Sequence, residues 1–260
     1  MNKIYQLYCF IVHRLSARNS YGHGIHSPYL YSFVQNVIYH QYNSFYAFRD
    51  IERERERLKK SMRRIKTKDY GTGNDRKAKV SHIAHKSLKP RKWAQLLFRV
   101  VNFSKANDVL ELGTSLGITT AYLAAADSGI RCITLEGSPD TANVARRTFD
   151  TLHLKNIEII EGNIDETLSQ ALLRFKQLDV VFFDANHREK PTLNYFGQCL
   201  QLAHNNTIFI FDDIYWSKEM GNAWKQIKKN GKITSTIDLF DLGIVFFNSN
   251  LPKKNYILKF

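Results

Sequence analysis

Several features that would each point to a particular class of protein are missing from this sequence. The 260 residues contain no run of about 18 consecutive apolar residues, so no transmembrane helix is predicted. Residues 1–20 are too polar for a signal peptide and contain no clear cleavage site. No internal repeat or low-complexity tract occurs, which argues against a repeat architecture. The apolar fraction of 43% is nevertheless sufficient for one large packed domain or a core domain with an extension.

Cysteine is also scarce. The three cysteines, Cys9, Cys132 and Cys199, are odd in number and widely spaced. This spacing matches neither a zinc site nor a disulfide framework. We therefore predict packing cysteines in a reducing compartment, the cytoplasm.

Charge is abundant, but it is unevenly distributed. The net charge is +14, and residues 51–92 carry 16 Lys and Arg against five Asp and Glu. Residues 93–260 carry 18 of each sign. We predict a helical, basic N-terminal extension over residues 1–92 and a second domain over residues 93–260. The basic run most simply indicates a solvated helix face, but it could also contact an anionic acceptor, an RNA or a membrane surface.

Helices are predicted in the extension. Four apolar residues fall on one face of an amphipathic helix near the start of the chain: Ile4, Leu7, Ile11 and Leu15. Ser27 followed by Pro28 predicts the N-cap and first residue of another helix. Further helices are predicted over residues 52–66 and 93–103, with a loop over residues 69–75.

From residue 108 onward, strands and helices alternate. The predicted strands are 108–112, 131–136, 156–160, 179–184 and 207–212. The predicted helices are 118–128, 140–152, 165–175, 191–203 and 217–229. Residues 233–239 and 244–247 predict a closing hairpin. This order indicates an α/β, doubly wound Rossmann-like sheet, mostly parallel, with a C-terminal antiparallel hairpin.

A glycine turn follows the first of these strands. Gly113 and Gly117 lie between the strand and the next helix, an arrangement typical of a cofactor cradle. Glu111 would repel a phosphate but attract a cationic cofactor. Glu136 ends the second strand, where a carboxylate can accept both ribose hydroxyls of a cofactor. The G-x-G-x-x-G pattern of nicotinamide-binding domains is absent.

Carboxylates follow two later strands. Asp184 ends one apolar strand, and Asp212 and Asp213 end another. Neighbouring parallel strands would bring these side chains to the same edge, where a hard cation such as Mg²⁺ or Ca²⁺ would offset their repulsion. His187, three residues after Asp184, is suited to general base catalysis. Structural alternatives are a helix cap for Asp213 and a surface loop position for His187.

These motifs, in this order, resemble the class I S-adenosylmethionine-dependent methyltransferases, and within them the catechol and caffeoyl-CoA type O-methyltransferases. The resemblance spans residues 93–250, and residues 22–28 resemble the opening of an uncharacterised bacterial branch. It implies S-adenosylmethionine as cofactor. The implied cofactor-binding residues are Glu111, Gly113, Gly117, Thr119, Glu136, Asn163, Ile164 and Asp184.

The same resemblance implies a chemistry for the second group of residues. A divalent metal, Mg²⁺ or another cation, would be held by Asp184, Asp212 and Asp213, where the family typically has Asp, Asp and Asn. His187 stands where the family's lysine base usually lies, so His187 and Asp184 are the expected catalytic residues. The implied reaction is O-methyl transfer to a hydroxyl of a small-molecule or carrier-linked acceptor, by an enzyme that forms homodimers.

Two other functions remain open. The basic residues 51–92 could serve an RNA methyltransferase, although the Asn-Pro-Pro-Tyr type motif of base N-methyltransferases is absent. The departures from the family at His187 and Asp213 would also suit a non-catalytic module that binds the cofactor.

Overall fold

The computed structural model describes residues 3–40, 45–68 and 76–260. The α-helices are α1 (Lys3–Ser16), α2 (Pro28–Phe33), α3 (Tyr46–Lys60), α4 (Val80–Ser87), α5 (Arg91–Ser104), α6 (Ile118–Ala124), α7 (Pro139–Thr151), α8 (Ile164–Leu172), α9 (Glu189–Cys199) and α10 (Lys218–Ile227). Short 3₁₀ turns lie at Ser20–Gly22 and Leu200–Leu202, and a π-helical turn lies at Val34–Ile38.

The strands are β1 (Arg64–Thr67), β2 (Arg76–Lys79), β3 (Asp108–Leu112), β4 (Arg131–Glu136), β5 (Ile157–Glu161), β6 (Leu178–Phe183), β7 (Ala203–Asp212), β8 (Ser235–Asp238), β9 (Leu242–Phe246) and β10 (Lys254–Ile257).

The chain divides into two compact units. The first comprises Met1–Gln41 with Phe175–Phe260, and the second comprises Tyr42–Arg174. A domain boundary after residue 92 stays a prediction.

The second unit contains three parallel strands in the order β3-β4-β5. In the register of these strands, Leu112 pairs with Leu135, and Glu136 pairs with Glu161. The carboxyl ends of the three strands therefore lie at one edge. Helices α6, α7 and α8 contact these strands, as expected for successive βα units.

The first unit contains five strands in the order β10-β8-β9-β7-β6. Strands β6 and β7 are parallel, whereas β9 is antiparallel to both β7 and β8. Every residue of β6 and β9 is buried, in keeping with their mostly apolar sequences, and the one acid among them, Asp179, pairs with His204 (2.8 Å). The alternation of parallel strands and helices, followed by an antiparallel C-terminal hairpin, confirms the predicted fold class.

The basic region differs from its prediction. The predicted helix over residues 52–66 is wrong at its C-terminal end, because α3 ends at Lys60 and β1 follows, paired with β2. Phe48 and Ile51 are buried and anchor the first part of α3, so the helix starts before the charged run. Neither the β1–β2 pairing nor β10 was predicted. The loop predicted over residues 69–75 lies outside the described residues.

Other local predictions are confirmed. The hydroxyl of Ser27 accepts the Leu30 N–H (3.4 Å) and caps α2. Cys132 and Cys199 are buried and unbridged, as predicted, whereas Cys9 is half-buried and also unbridged. Across the described ranges, no helix combines the length and the apolar character needed to cross a membrane.

Helix α1 is held to the first unit by a buried carboxylate. Asp238, at the end of β8, lies 3.3 Å from the His13 imidazole (Oδ1 to Nε2). Its other carboxylate oxygen accepts hydrogen bonds from the Tyr215 hydroxyl (2.7 Å) and the Trp224 indole N–H (2.9 Å). Burial alone would raise the pKa of Asp238, but these hydrogen bonds outweigh burial, and the pKa lies below its usual value.

We expect Asp238→Asn to destabilise the protein by about 2–4 kcal/mol, because an amide removes the buried charge and misplaces a donor. The native carboxylate contributes stability above the ordinary Asp pKa of about 3.9. That contribution is lost as the pH falls through the lowered pKa. Urea unfolding of both proteins at neutral pH and in acid measures the difference, with the exposed Asp150→Asn variant as control. Equal stability of the two variants at neutral pH would contradict this role.

Candidate functional site

In the second unit, the glycine turn between β3 and α6 is tied to the end of β4. The backbone N–H groups of Gly113 and Thr114 both donate to the Leu135 carbonyl, at 3.0 and 3.1 Å. The turn needs left-handed backbone at Gly113 (φ +104°), Ser115 (φ +50°) and Gly117. Glycine adopts such angles without strain, which explains its place at two of these positions.

At Gly117 the constraint is packing as well as conformation. Its φ is +83°, and a Cβ built there would lie 2.7 Å from the Phe149 ring and 3.1 Å from the Ala145 methyl group, both on α7. Gly117 therefore lets α7 pack closely against the start of α6. Thr119 is buried in the first turn of α6.

Glu136 lies beside this turn and accepts backbone hydrogen bonds with both oxygens. Oε2 accepts the Ser115 N–H (2.8 Å), and Oε1 accepts the Ser138 N–H (2.9 Å). Burial raises the pKa of Glu136 to about 7, although these backbone donors oppose the rise. The structure thus brings the Glu136 carboxylate to the glycine turn, and its role as a ribose ligand stays a prediction. Such a carboxylate can accept hydroxyl donors from a ligand.

Glu111 has different surroundings. Its side chain is fully buried, and Oε2 accepts hydrogen bonds from the hydroxyls of Thr134 (2.7 Å) and Thr120. These contacts link β3 to β4 and to α6 from inside the unit. Contact of Glu111 with a cofactor stays a prediction.

The loop after β5 also reaches the end of β4. The Gly162 N–H donates to the Glu136 carbonyl (3.0 Å). Asn163 is the N-cap of α8, its side-chain oxygen accepting the Asp165 N–H at 3.2 Å, and Ile164 is the first residue of that helix. Asn163 and Ile164 are half-buried. The loop of Asn163 and Ile164, predicted to bind the cofactor, therefore contacts the strand that carries Glu136.

In the first unit, three predicted site residues converge where β6 and β7 end. Asp184, His187 and Asp212 each offer a ligand atom within 4.8 Å of the others. The register that pairs Phe183 with Phe211 explains why the two carboxylates are neighbours. Asp184 Oδ1 lies 3.6 Å from His187 Nε2. Asp212 is buried, whereas the other two side chains are partly exposed.

Asp213 lies on the other side of the imidazole ring. Its Oδ2 is 4.0 Å from His187 Nδ1, so Asp184 and Asp213 flank the two ring nitrogens. The predicted metal ligands are Asp184, Asp212 and Asp213, whereas the three residues that lie within 4.8 Å of one another are Asp184, Asp212 and His187. Asp213 also shapes its own turn, since its carbonyl accepts the Trp216 N–H at 2.9 Å.

Left-handed backbone supports this arrangement and was missed in the sequence. Asn186 (φ +65°), His187 (φ +26°) and Asp213 (φ +53°) all lie in a region that non-glycine residues rarely adopt. The Asn186 amide donates to the buried Tyr195 hydroxyl (3.1 Å), and its oxygen accepts from Arg188. An asparagine three residues after a strand end is the signal that could have indicated this turn, because Asn tolerates left-handed backbone. Such strain is typical of functional sites.

Three aromatic residues of the first unit, Tyr195, Trp216 and Trp224, differ in their exposure to solvent. Tyr195 and Trp224 are fully buried, and Trp224 donates to Asp238, so both belong to the packed interior. Trp216 is 41% exposed.

The comparisons with known proteins agree with this geometry. Residues 110–214, less than half of the chain, match the family model described as a methyltransferase domain. This segment contains both groups of carboxylates. A search of curated proteins gives no match.

Solved structures share the fold over most of the chain. An O-methyltransferase from Bacillus cereus in complex with S-adenosylhomocysteine (SAH) has 18% identity and a TM-score of 0.57, covering 83% of this chain and 96% of that chain. A SAH-bound methyltransferase from Podospora anserina has 16% identity and a TM-score of 0.56, covering 80% and 99%.

A third structure is an O-methyltransferase of tomaymycin synthesis from Streptomyces achromogenes, in complex with S-adenosylmethionine. It has 18% identity and a TM-score of 0.55, covering 62% of this chain and 82% of that chain. At these identities the likeness shows the fold. Residues 110–214 therefore match a methyltransferase domain, and the predicted fold, shared with O-methyltransferases solved with S-adenosylmethionine or SAH, is confirmed.

We expect Gly117→Ala to lower the free energy of unfolding by about 1–3 kcal/mol, because the methyl group meets α7 and the backbone angle is unfavourable. Gly197→Ala is the matched control. Gly197 lies within α9, and a Cβ there would have no neighbour within 4 Å, so this variant should be neutral or more stable. Denaturant midpoints measure both. A Gly117→Ala variant as stable as the control would exclude the packing role.

Proposed function

We propose that this protein is an S-adenosylmethionine-dependent O-methyltransferase that acts on a hydroxyl of a small or carrier-linked acceptor with the help of a divalent cation. The observation that carries the proposal is the convergence of Asp184, His187 and Asp212 in a chain with a methyltransferase fold. Acceptor oxygens need deprotonation before methyl transfer, and this group offers a base beside two carboxylates.

The residues of the second unit fit S-adenosylmethionine. Glu136 presents a carboxylate whose raised pKa reflects burial, and two ribose hydroxyls are suitable donors to it. The glycine turn and the loop of Asn163 and Ile164 both contact β4 next to that carboxylate. The cofactor supplies a methyl group activated by its sulfonium charge. Roles for Gly113, Gly117, Thr119 and Asp184 in holding it belong to this proposal.

The residues of the first unit fit a divalent cation by the chemistry of their donors. Two carboxylates, from Asp184 and Asp212, lie with an imidazole within 4.8 Å. Carboxylate oxygens suit Mg²⁺ and Mn²⁺, and imidazole is compatible with transition metals. We propose that Asp184 and Asp212 hold the cation, with Asp213 adding negative charge nearby. A bound cation lowers the pKa of an acceptor hydroxyl.

We assign His187 the role of general base. The neutral imidazole would take the proton of the acceptor hydroxyl, and the carboxylates of Asp184 and Asp213, 3.6 and 4.0 Å from its two nitrogens, would stabilise the resulting imidazolium. The left-handed backbone at His187 positions the ring between them.

The affinity for SAH should decrease as the pH falls from about 8 to about 6, approaching tenfold per pH unit below the Glu136 pKa, because protonated Glu136 cannot accept both ribose hydroxyls. Calorimetric titration with SAH at several pH values measures this. Glu136→Gln should bind weakly at every pH and lose the dependence.

Glu158→Gln is the matched control, because Glu158 lies on β5 and pairs with Arg174 instead of lying beside the glycine turn. This variant should keep the native affinity and the native pH dependence. Absence of SAH binding to the native protein would remove the proposed function, and an unchanged pH dependence in Glu136→Gln would remove the role of Glu136.

The cation proposal is tested with Mn²⁺ by following the electron paramagnetic resonance signal of the free ion. Asp184→Asn and Asp212→Asn should each weaken Mn²⁺ binding by roughly tenfold or more, because each removes a charged ligand. His187→Gln should keep Mn²⁺ affinity but lose methyl transfer by roughly 100-fold or more.

The exposed Asp150→Asn variant should leave Mn²⁺ binding unchanged. If His187→Gln loses Mn²⁺ affinity as strongly as the aspartate variants, His187 is a ligand and not the base. If native protein binds no Mn²⁺ and transfers methyl groups in the presence of a chelator, the cation has no part in the reaction.

An RNA acceptor is the second candidate, and one surface feature favours it. A groove of about 780 Å³ in the second unit is lined by α3 side chains and Arg91, among them Arg49, Arg53, Arg57 and Lys60. We rank it second because acids of the same helix pair with three of these arginines: Asp50 with Arg49 and Arg53, and Glu54 with Arg57. RNA binding that weakens steeply with added salt would favour this candidate.

The remaining predictions concern a non-catalytic module, the oligomeric state and the compartment. A non-catalytic module would bind SAH without transferring a methyl group to any acceptor of a broad panel. Homodimer formation and the reducing, cytoplasmic compartment indicated by the cysteines stay predictions.

A further inference from the structure

Helix α1 presents an apolar face to solvent. We call Ile4, Leu7, Tyr8, Ile11 and Leu15 the α1 face. Each is at least half exposed, and the exposed fractions of Ile4 and Leu15 reach 82% and 77%. At about 100° per residue, these five side chains occupy one continuous arc of the helix surface. Apolar patches of this kind on a folded surface mark interaction sites.

The rotation of α1 is set by contacts on its opposite side. His13 is buried against Asp238, and Gln6 donates to the Trp216 carbonyl at 2.9 Å. The Phe10 ring packs edge-on against Phe240, with centroids 5.3 Å apart. Turning the α1 face inward would break the buried His13–Asp238 contact and leave Asp238 short of a partner. The exposure is therefore a property of the folded unit.

The charges on α1 indicate what covers this face. Residues 3–18 contain no Asp or Glu, whereas Lys3, Arg14 and Arg18 are exposed. The same helical periodicity places Lys3 and Arg14 along one edge of the α1 face, beside Leu7, and Arg18 follows two residues after the helix ends. An apolar arc bordered by basic residues is the pattern of helices that lie in the interface of an anionic membrane.

We propose that the α1 face binds the surface of anionic lipid membranes, with its five apolar side chains among the acyl chains and its basic edge at the headgroups. Lys3, Arg14 and Arg18 are each attracted by a negative surface potential. A second copy of α1 is a less favourable occupant, because pairing two such faces brings two basic edges together with no acid on either helix. The proposal is independent of the methyl-transfer reaction.

Co-sedimentation of the full chain with lipid vesicles tests this proposal. The protein should bind vesicles of phosphatidylcholine with phosphatidylglycerol, and bind pure phosphatidylcholine vesicles much less. Leu7→Gln/Ile11→Gln should weaken binding by roughly tenfold or more, because two exposed apolar side chains that would enter the membrane are lost. Arg14→Gln/Arg18→Gln should reduce the preference for the anionic lipid and its sensitivity to salt.

The matched control is Tyr46→Gln/Leu173→Gln, which removes two other highly exposed apolar side chains, at 95% and 87% exposure, outside α1. This variant should bind vesicles like the native protein, and thermal melts should show all three variants folded. Native-like vesicle binding by Leu7→Gln/Ile11→Gln would overturn the proposal. Absence of vesicle binding by the native protein would also overturn it. In that case, a dimer that light scattering detects in the native protein but not in Leu7→Gln/Ile11→Gln would assign the face to a second copy.

Discussion

The candidate cofactor site depends on the hydrogen bonds that join the β3–α6 turn to the end of β4. The Leu135 carbonyl accepts two backbone N–H groups of the turn, and the Glu136 carboxylate accepts a third, from Ser115. A side chain suited to binding a ligand thus also fixes the shape of the turn. Its burial in this position raises the pKa of Glu136 to about 7. The shape of the turn and the ligand binding proposed for Glu136 are consequently linked to one protonation state.

A related constraint governs the first unit. Parallel pairing of β6 with β7 places Asp184 next to Asp212, where two carboxylates repel each other. His187 lies between Asp184 and Asp213, with a backbone angle that histidine rarely adopts. The hydrogen bond from Asn186 to the buried Tyr195 holds the preceding residue of the turn. Strained backbone beside neighbouring carboxylates is a combination that the proposed site explains.

Much of this could be predicted from local pattern. The strands 108–112 and 131–136 are found with those bounds, because apolar runs between turn residues are strong strand signals. The β1–β2 pairing was missed because its strands are short and basic, without the apolar alternation that indicates a strand. Helix α3 begins earlier than predicted, at Tyr46, because its buried anchors Phe48 and Ile51 precede the charged run on which the prediction was based.

The sequence by itself determined the α/β class, the glycine turn and the carboxylates at the strand ends, because periodicity and strand-end residues are local properties. Only the tertiary structure decided that His187 joins Asp184 and Asp212, since a left-handed turn cannot be read from residue types alone. It also decided that Glu111 is enclosed between Thr120 and Thr134. Likewise, the sequence predicted an amphipathic α1, but its apolar side faces outward because His13 pairs with Asp238, 225 residues away in the chain. Such long-range pairings determine which face of a helix packs against the protein, and the local sequence pattern does not contain this information.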